Sequence, residues 1–303
     1  MSAASSKKVI FAALIGNTLI AITKFIAATL TGSSAMLSEG IHSLVDTGNQ
    51  ILLLHGMRQA EKPASEKFPF GHGKEIYFWA FAVAILIFAV GSGVSIYEGI
   101  QHILHPTPMK YVTINYIVLG LSMLFEGAAW SMAFREFTKA KGKWGYIEAV
   151  QRGKDPSMFV VLFEDSAAML GLLLALLGVW LSQITANPVF DGIASLLIGV
   201  VLGGTAIWLA YETKGLLIGE SASRTVVQGI RRILAKEVGA ERVNEVLTMH
   251  MGPDFILANI SIDFRDSAMT GEIEKTIAHL DHRIKARFPE VKRIFIEAES
   301  RWR

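Results

Sequence analysis

The segment Ser166–Phe190 reads SAAMLGLLLALLGVWLSQITANPVF and contains no Asp, Glu, Lys or Arg. The segments Ile76–Tyr97 and Gly192–Tyr211 are equally free of these four residue types. Each has the roughly 20 mainly apolar residues that an α-helix needs to cross a lipid bilayer. These three stretches predict an α-helical membrane protein.

The composition of the whole chain agrees with this class. Of the 303 residues, 51% are hydrophobic and 18% are charged, whereas about 25% are charged in ordinary soluble domains. The mean hydropathy is +0.41, and a plain soluble enzyme is excluded. The chain has no Cys, which excludes thiolate metal sites. The net charge of +2 gives no reason to expect nucleic acid as a partner, and we expect no bound cofactor.

Six apolar stretches are predicted to be transmembrane helices, because backbone polar groups in lipid must be satisfied within their own segment. Of the five loops between them, the second and fourth hold nearly all the Lys and Arg, and the other three hold only Lys110. Cytoplasmic loops carry the excess of positive charge, so both termini are expected in the cytoplasm. We expect a multi-pass protein of a bacterial inner membrane. The six stretches are about 9–30, 34–56, 76–103, 111–134, 158–182 and 189–211, and the basic loop residues are Arg58, Lys62, Lys67, Lys74, Arg135, Lys139, Lys141, Lys143, Arg152 and Lys154.

The composition changes at Thr213, after which charged residues occur every few positions. We therefore divide the chain into a transmembrane domain, 1–212, and a small cytoplasmic domain, 213–303. Apolar residues at helical or alternating spacing predict the order helix, strand, strand, helix, strand in the second domain. The predicted elements are Arg224–Val238, Val243–Met251, Phe255–Phe264, Glu272–Phe288 and Val291–Ala298.

Ionisable residues inside predicted spans point to function, because placing them in a membrane is costly. His42 and Asp46 are four residues apart in the second span and share one helical face. Imidazole and carboxylate ligands suit zinc and its first-row neighbours. Glu164 and Asp165 bring carboxylates to similar depth in the fifth span, so the two helices could share one cation. Alternatively, His42 hydrogen-bonds a neighbour while Asp46 and Glu164 face a water-filled interface.

Three further polar residues have simpler interpretations. Lys24 and Glu126 are interpreted as paired, snorkelling or structural groups rather than ligands. Asp191 begins the sixth span and is expected to cap that helix.

Four motifs together resemble the cation diffusion facilitator family over nearly the whole chain. The resemblance implies six transmembrane helices, a ferredoxin-like cytoplasmic α+β domain, a homodimer, and efflux of zinc or a similar divalent ion in exchange for protons. The Glu164-Asp165-Ser-Ala-Ala form of the fifth span most resembles the branch that includes the human mitochondrial zinc transporter. The motifs are GSSAMLSEGIHSLVD from Gly32 to Asp46, FGHGKE from Phe70 to Glu75, EGIQHILHP from Glu98 to Pro106, and DGIASLLIG from Asp191 to Gly199.

The resemblance also implies a set of ligands for the transported ion. It assigns this role to His42, Asp46 and Asp165, while the fourth position of the family's tetrahedral site falls on Val161, whose hydrocarbon side chain cannot ligate. Glu164 could replace that ligand through its longer side chain or a local π-bulge. Otherwise water completes the site, which would weaken the preference for zinc over manganese, iron or cobalt.

The family's accessory metal sites are expected to be absent. In the loop after the second span only His72 remains, with Ser65 and Phe68 at the other positions. In the cytoplasmic domain the family's His positions correspond to residues such as Asn244, Ser261 and Glu299. We expect this domain to serve dimerisation rather than metal sensing, although its acidic strand end could bind an ion weakly. The remaining domain histidines, His250, His279 and His282, are interpreted as solvated or structural.

The leading functional interpretation is a secondary transporter, not an enzyme, that moves a divalent cation out of the cytoplasm against proton entry. Zinc is the first choice of ion, and manganese, iron and cobalt are alternatives. Two rivals stay open: a transport-inactive membrane scaffold and a passive divalent channel.

Overall fold

The structure is a computed structural model that describes residues 3–142, 144–146, 149, 156–236 and 240–300. Contacts divide the chain into two compact units. The first contains the described residues up to Met57, those from Phe78 to residue 149, and Pro156–Thr213. The second contains Arg58–Tyr77 together with the chain from Lys214 onward.

Long helices cover all six predicted apolar stretches. They are α1 (Ala3–Thr31), α2 (Ser34–Ala60), α3 (Glu75–Leu104), α4 (Val112–Lys141), α5 (Pro156–Thr185) and α6 (Val189–Ile218). The helix α3 contains one π-helical segment, Ile87–Ser92, where the backbone is wound more widely.

Four of these helices, α3 to α6, are long and apolar enough to cross a membrane. In α1 the apolar stretch that could be assessed is Asn17–Thr31, and α2 is not in this group. The exposed side of α5 shows what surrounds such a helix: Leu170, Leu173 and Leu177 are 44–50% exposed at helical spacing. A bilayer is the solvent in which exposed Leu at this spacing is favourable. The protein is therefore an integral membrane protein.

Glycines allow α3 and α6 to pack closely. A methyl group added at Gly99 would lie 2.6 Å from the backbone nitrogen of Leu196, and one added at Gly199 would lie 2.8 Å from the backbone nitrogen of Ile96. Small residues at helix interfaces let backbones approach in this way within membranes. Ser92 adds an interhelical hydrogen bond by donating to the carbonyl oxygen of Gly199 at 2.8 Å.

The carboxyl-terminal part of the chain has the predicted order of elements. These are α7 (Arg224–Leu234), β1 (Ala240–Gly252), β2 (Phe255–Phe264), α8 (Thr270–Arg287) and β3 (Val291–Ala298). The sheet order is β1-β2-β3, with β1 and β2 antiparallel and β2 and β3 parallel. The two helices bury their apolar residues against the sheet, because alternate residues of β2 face the core. The predicted helix end at Val238 lies outside the described residues.

The second unit also includes the segment that follows α2. Gly73 packs so closely on the backbone of Met251 that a larger residue would displace it. Lys74 donates to the carbonyl oxygen of Leu217 at 3.5 Å. These contacts explain why Arg58–Tyr77 groups with the carboxyl-terminal elements rather than with the membrane helices.

Candidate metal centre

His42 and Asp46 face each other on α2, one turn apart. Nδ1 of His42 lies 3.3 Å from Oδ1 of Asp46, and the two side chains are 1% and 14% exposed. Neither ring nitrogen of His42 nor Oδ1 of Asp46 has a hydrogen-bond partner among the described residues. Buried polar atoms are rarely left without a partner, and each such atom calls for an explanation, such as an ion that binds there.

Glu164 reaches this pair from α5. Its side chain is buried, with 4% exposure. Its carboxylate accepts a hydrogen bond from Nδ2 of Asn49, one turn beyond Asp46 on α2, at 2.6 Å. Glu164 also interacts directly with the carboxyl group of Asp46. Two adjacent carboxyl groups repel when both are ionised, so this position favours a shared proton or a bound cation.

Asp165 leaves α5 in a different direction from Glu164, because α5 is a regular α-helix through this region. Adjacent residues of an α-helix differ by about 100° in direction. Glu164 bonds to residues of α2, whereas Asp165 interacts by charge with Asp46, Glu164 and Glu126, without a hydrogen bond to another described residue. The π-bulge considered for Glu164 is not formed in α5, and Glu164 reaches Asp46 without one. The π-helical segment lies in α3 instead.

The predicted ligands lie near each other, but their side chains are not arranged to coordinate one ion. Among the described residues, no three His, Asp or Glu side chains are close enough to hold one ion. The structure brings together His42, Asp46 and Glu164 in a chain of contacts, and leaves Asp165 beside them. For these groups to hold one ion together, their side chains would have to come closer.

A second buried cluster of charges lies on the same face of α2. Lys24 of α1 donates to Glu39 at 3.0 Å, to the hydroxyl of Ser43 at 2.8 Å and to Glu126 of α4 at 2.8 Å. Of the interpretations offered by the sequence, pairing is the one found, since Lys24 is buried between both carboxylates. This cluster joins α1, α2 and α4 through buried polar contacts.

The comparison with known protein families decides the family of this chain. Residues 10–218 match the family model described as "Cation efflux transmembrane domain". The chain belongs to the cation efflux family. Its members are the cation diffusion facilitators, as the four sequence motifs predicted.

Individual relatives of this cation efflux protein agree with the assignment. It is 34% identical over 265 residues to the mitochondrial proton-coupled zinc antiporter of Xenopus laevis, covering 87% of this chain and 47% of that protein. It is 29% identical to metal tolerance protein C4 of Arabidopsis thaliana, covering 86% of this chain and 57% of that protein. It is 25% identical to an Escherichia coli cation-efflux pump, FieF, with 89% and 85% covered. The chain thus spans about half the length of the first of these relatives. The expectation of a bacterial inner membrane gains no support, because the relatives at 33–34% identity are named as mitochondrial.

His72, which remains where other family members have an accessory metal site, contacts nearby residues of its own loop. His72 packs its ring on Phe68 with the centroids 4.5 Å apart, and its Nδ1 lies 4.0 Å from Glu75. This arrangement is compatible with the predicted absence of a metal site, which stays a prediction.

In the predicted cytoplasmic domain, the residues at the positions of the family's metal-binding histidines form hydrogen bonds with each other. Asn244 donates to Ser261 at 3.1 Å, and Ser261 donates to Glu299 at 2.8 Å. His250 is buried and its Nδ1 lies 3.3 Å from the carbonyl oxygen of Gly252, which fits the structural interpretation of that residue. The dimerisation and weak-ion interpretations of this region stay predictions.

Sequence reasoning missed Asn49 and misassigned Asp191. Asn49 was detectable as a polar residue three positions after Asp46, on the same helical face. Asp191 caps α2 rather than its own helix: its Oδ2 accepts from the backbone nitrogen of Ser34 at 2.6 Å and of Ala35 at 3.4 Å. The partner of a cap from a distant helix cannot be identified from local sequence.

Proposed function

We propose that the protein is a secondary transporter that carries a divalent cation across the membrane in exchange for protons. Zinc is the leading substrate, with manganese, iron and cobalt as alternatives, and the protein is not an enzyme. The observation that carries this proposal is the set of unpartnered atoms on α2, the two ring nitrogens of buried His42 and Oδ1 of Asp46, beside Glu164 of α5.

The cation is held between α2 and α5. His42, Asp46 and Glu164 supply one imidazole and two carboxylates, and Asp165 supplies a further negative charge from the next position of α5. This donor set suits zinc and the neighbouring first-row ions. In this proposal Glu164, with its longer side chain, replaces the ligand that Val161 cannot provide.

Proton coupling follows from the chemistry of these ligands. A carboxylate or imidazole binds a metal only when deprotonated, so a cation and protons compete for the same atoms. Release of the cation on one side of the membrane allows the ligands to take up protons, and the protons leave when the next cation binds. Rocking of helices around the fixed site would alternate its access between the two faces.

The proposed transporter has two domains in each subunit. Six transmembrane helices, α1 to α6, carry the site, and a ferredoxin-like domain from residue 213 onward lies in the cytoplasm with both termini. The helix-strand-strand-helix-strand order supports this assignment. The protein acts as a homodimer in the bilayer.

The alternative is a transport-inactive scaffold, favoured by Val161 and by the lack of a ready-made three-ligand grouping among the described residues. Reconstitution into vesicles with zinc-sensitive and pH-sensitive dyes separates the two. An antiporter moves protons opposite to zinc, a channel passes zinc without proton counterflow, and a scaffold does neither.

The site assignment is tested in the same vesicles. Asp46→Ala and Asp165→Ala are expected to abolish zinc-driven proton flux in folded protein, because each removes a negative charge from the site. Asp266→Ala, a change of the same kind at an exposed position, serves as the control and should leave the flux unchanged. Wild-type flux in the Asp46 variant would refute the assignment.

A further inference from the structure

A second cavity with metal-ligating side chains lies near the ends of α1 and α3. Its volume is about 190 Å³, and it is lined by Thr29, Ser33, Ser34, Leu37, Glu98 and His102 among others. None of these residues belongs to the proposed transport site. The lining combines an imidazole, a carboxylate and several hydroxyl groups on one concave surface.

His102 is the most informative residue of this cavity. It is only 9% exposed, and its Nε2 has no hydrogen-bond partner among the described residues. The nearest acidic atom, Oδ2 of Asp191, is 3.9 Å away, which is beyond hydrogen-bond distance. Because His102 is one of the residues that line the cavity, a rotation of its ring would offer this unpartnered nitrogen to a ligand there.

Asp191 does not satisfy His102 at 3.9 Å, and its carboxylate is held by other donors. It accepts from the hydroxyl of Ser33 at 2.7 Å, and from the backbone nitrogen and hydroxyl of Ser34 at 2.6 and 3.1 Å. These bonds fix the start of α2, which forms part of the cavity wall. The negative charge of Asp191 nevertheless favours a cation over an anion beside His102.

Glu98 supplies the second ligand-type group. It precedes His102 by four residues on α3, so the two side chains lie on one helical face with Cβ atoms about 5–6 Å apart. Glu98 makes no hydrogen bond or ion pair with another described residue. Imidazole and carboxylate at this spacing can both reach an ion between them, since zinc bonds to nitrogen and oxygen are about 2.0–2.2 Å long.

The position of the cavity relates it to the transport site. Leu37 lines the cavity and lies five residues before His42 on α2, which corresponds to about 8 Å along the helix axis. The cavity therefore lies one to two turns from His42, towards the connection between α1 and α2.

We propose that Glu98 and His102 form a second, weaker divalent-cation site through which the ion passes on its way between the transport site and the α1–α2 end of the helices. Its role as a relay rests on the proposed transport function, whereas its ability to bind a cation does not. With two protein ligands and water in the other positions, the site releases its ion readily.

Binding is tested by calorimetric titration of zinc into the full-length protein in detergent. The variant His42→Ala/Asp46→Ala removes the central pair and should retain one weak binding event. Adding His102→Ala or the conservative Glu98→Gln should weaken that event at least tenfold. Adding His105→Ala, at an exposed histidine directly after α3 that does not line the cavity, should leave it unchanged.

The outcomes distinguish this site from its alternatives. Absence of weak binding in His42→Ala/Asp46→Ala, or its equal loss with His105→Ala, overturns the second site. In a protein with the central pair intact, His102→Ala should lower the maximal zinc flux in vesicles at unchanged affinity of the central site. If zinc binding depends on His102 but the wild type transports no cation, the proposed function fails while the binding site stands. Unchanged flux in His102→Ala overturns the relay.

Discussion

Replacing Lys24 with Met tests the buried charge cluster that joins α1, α2 and α4. The change keeps most of the apolar stem but removes the ammonium group that contacts Glu39 and Glu126 at 3.0 and 2.8 Å. The two carboxylates are 0% and 13% exposed, so water cannot replace the lost partner. We therefore expect a large loss of stability.

The magnitude follows from the burial of the cluster. Removing one partner of a buried ion pair costs about 3–5 kcal/mol, because it leaves an unpaired charge in the interior. Lys24 is shared by two carboxylates and a hydroxyl group, which places the expected loss in the upper part of that range. The loss has the same cause in detergent as in lipid, since the cluster is enclosed by protein.

The assay is unfolding of the purified protein in detergent, followed by circular dichroism. A triple variant, Lys24→Met/Glu39→Gln/Glu126→Gln, separates charge from packing. Neutral replacement of a whole buried ionic cluster is often tolerated, so the triple variant should recover more than half of the loss. The exposed Lys292 provides the control substitution to Met, which should change stability little. A single Lys24 variant as stable as wild type would refute the reasoning.

Three further predictions concern the metal centre and the loop. Glu164→Gln should weaken zinc affinity at least tenfold, or about 1.4 kcal/mol, because a neutral amide replaces a ligating carboxylate; unchanged affinity in a titration would remove Glu164 from the ligand set. Val161→His, four residues before Asp165, should raise the affinity for zinc relative to manganese, because imidazole suits zinc; an unchanged ratio of the two affinities would contradict this. His72→Ala should change transport in vesicles by less than about threefold, since a lone imidazole is a poor metal site; a complete loss would show that the loop has another role.

The helices were predictable because apolar runs and charge-free stretches are properties of the sequence itself. The predicted 189–211 lies inside the observed Val189–Ile218, and the predicted strand Phe255–Phe264 coincides with β2. Contacts between residues of different helices were harder to predict from the sequence. Lys24 could be interpreted as paired, but Glu39 as one of its partners depends on how α1 and α2 are rotated about their axes, and local sequence does not specify that rotation.

The same limit explains the uncertainty over Glu164 and Asp165. Both are carboxylates at one depth of α5, and a rotation of the helix by about 100° exchanges which of them faces α2. The family pattern pointed to Asp165, whereas in the structure Glu164 contacts Asp46 and Asn49. The π-helical segment in α3 was also beyond sequence reasoning, because Ile87–Ser92 contains no residue that marks such a turn.

In the six-helix architecture that we propose, the low apolarity of α2 follows from one polar stripe along the helix. Glu39, His42, Asp46 and Asn49 recur at intervals of three or four residues and so form one stripe along the helix. A hydropathy average counts these side chains as if lipid surrounded them. In the structure Glu39 and Asn49 of this stripe bond to Lys24 of α1 and Glu164 of α5, while the ring nitrogens of His42 and Oδ1 of Asp46 have no partner among the described residues. Glu39 of the ion-pair cluster and the proposed ligands His42 and Asp46 lie on the same helix, so a rotation of α2 would move them together. Variants of the cluster that lower the stability of the protein, such as Lys24→Met, should therefore also change its affinity for zinc.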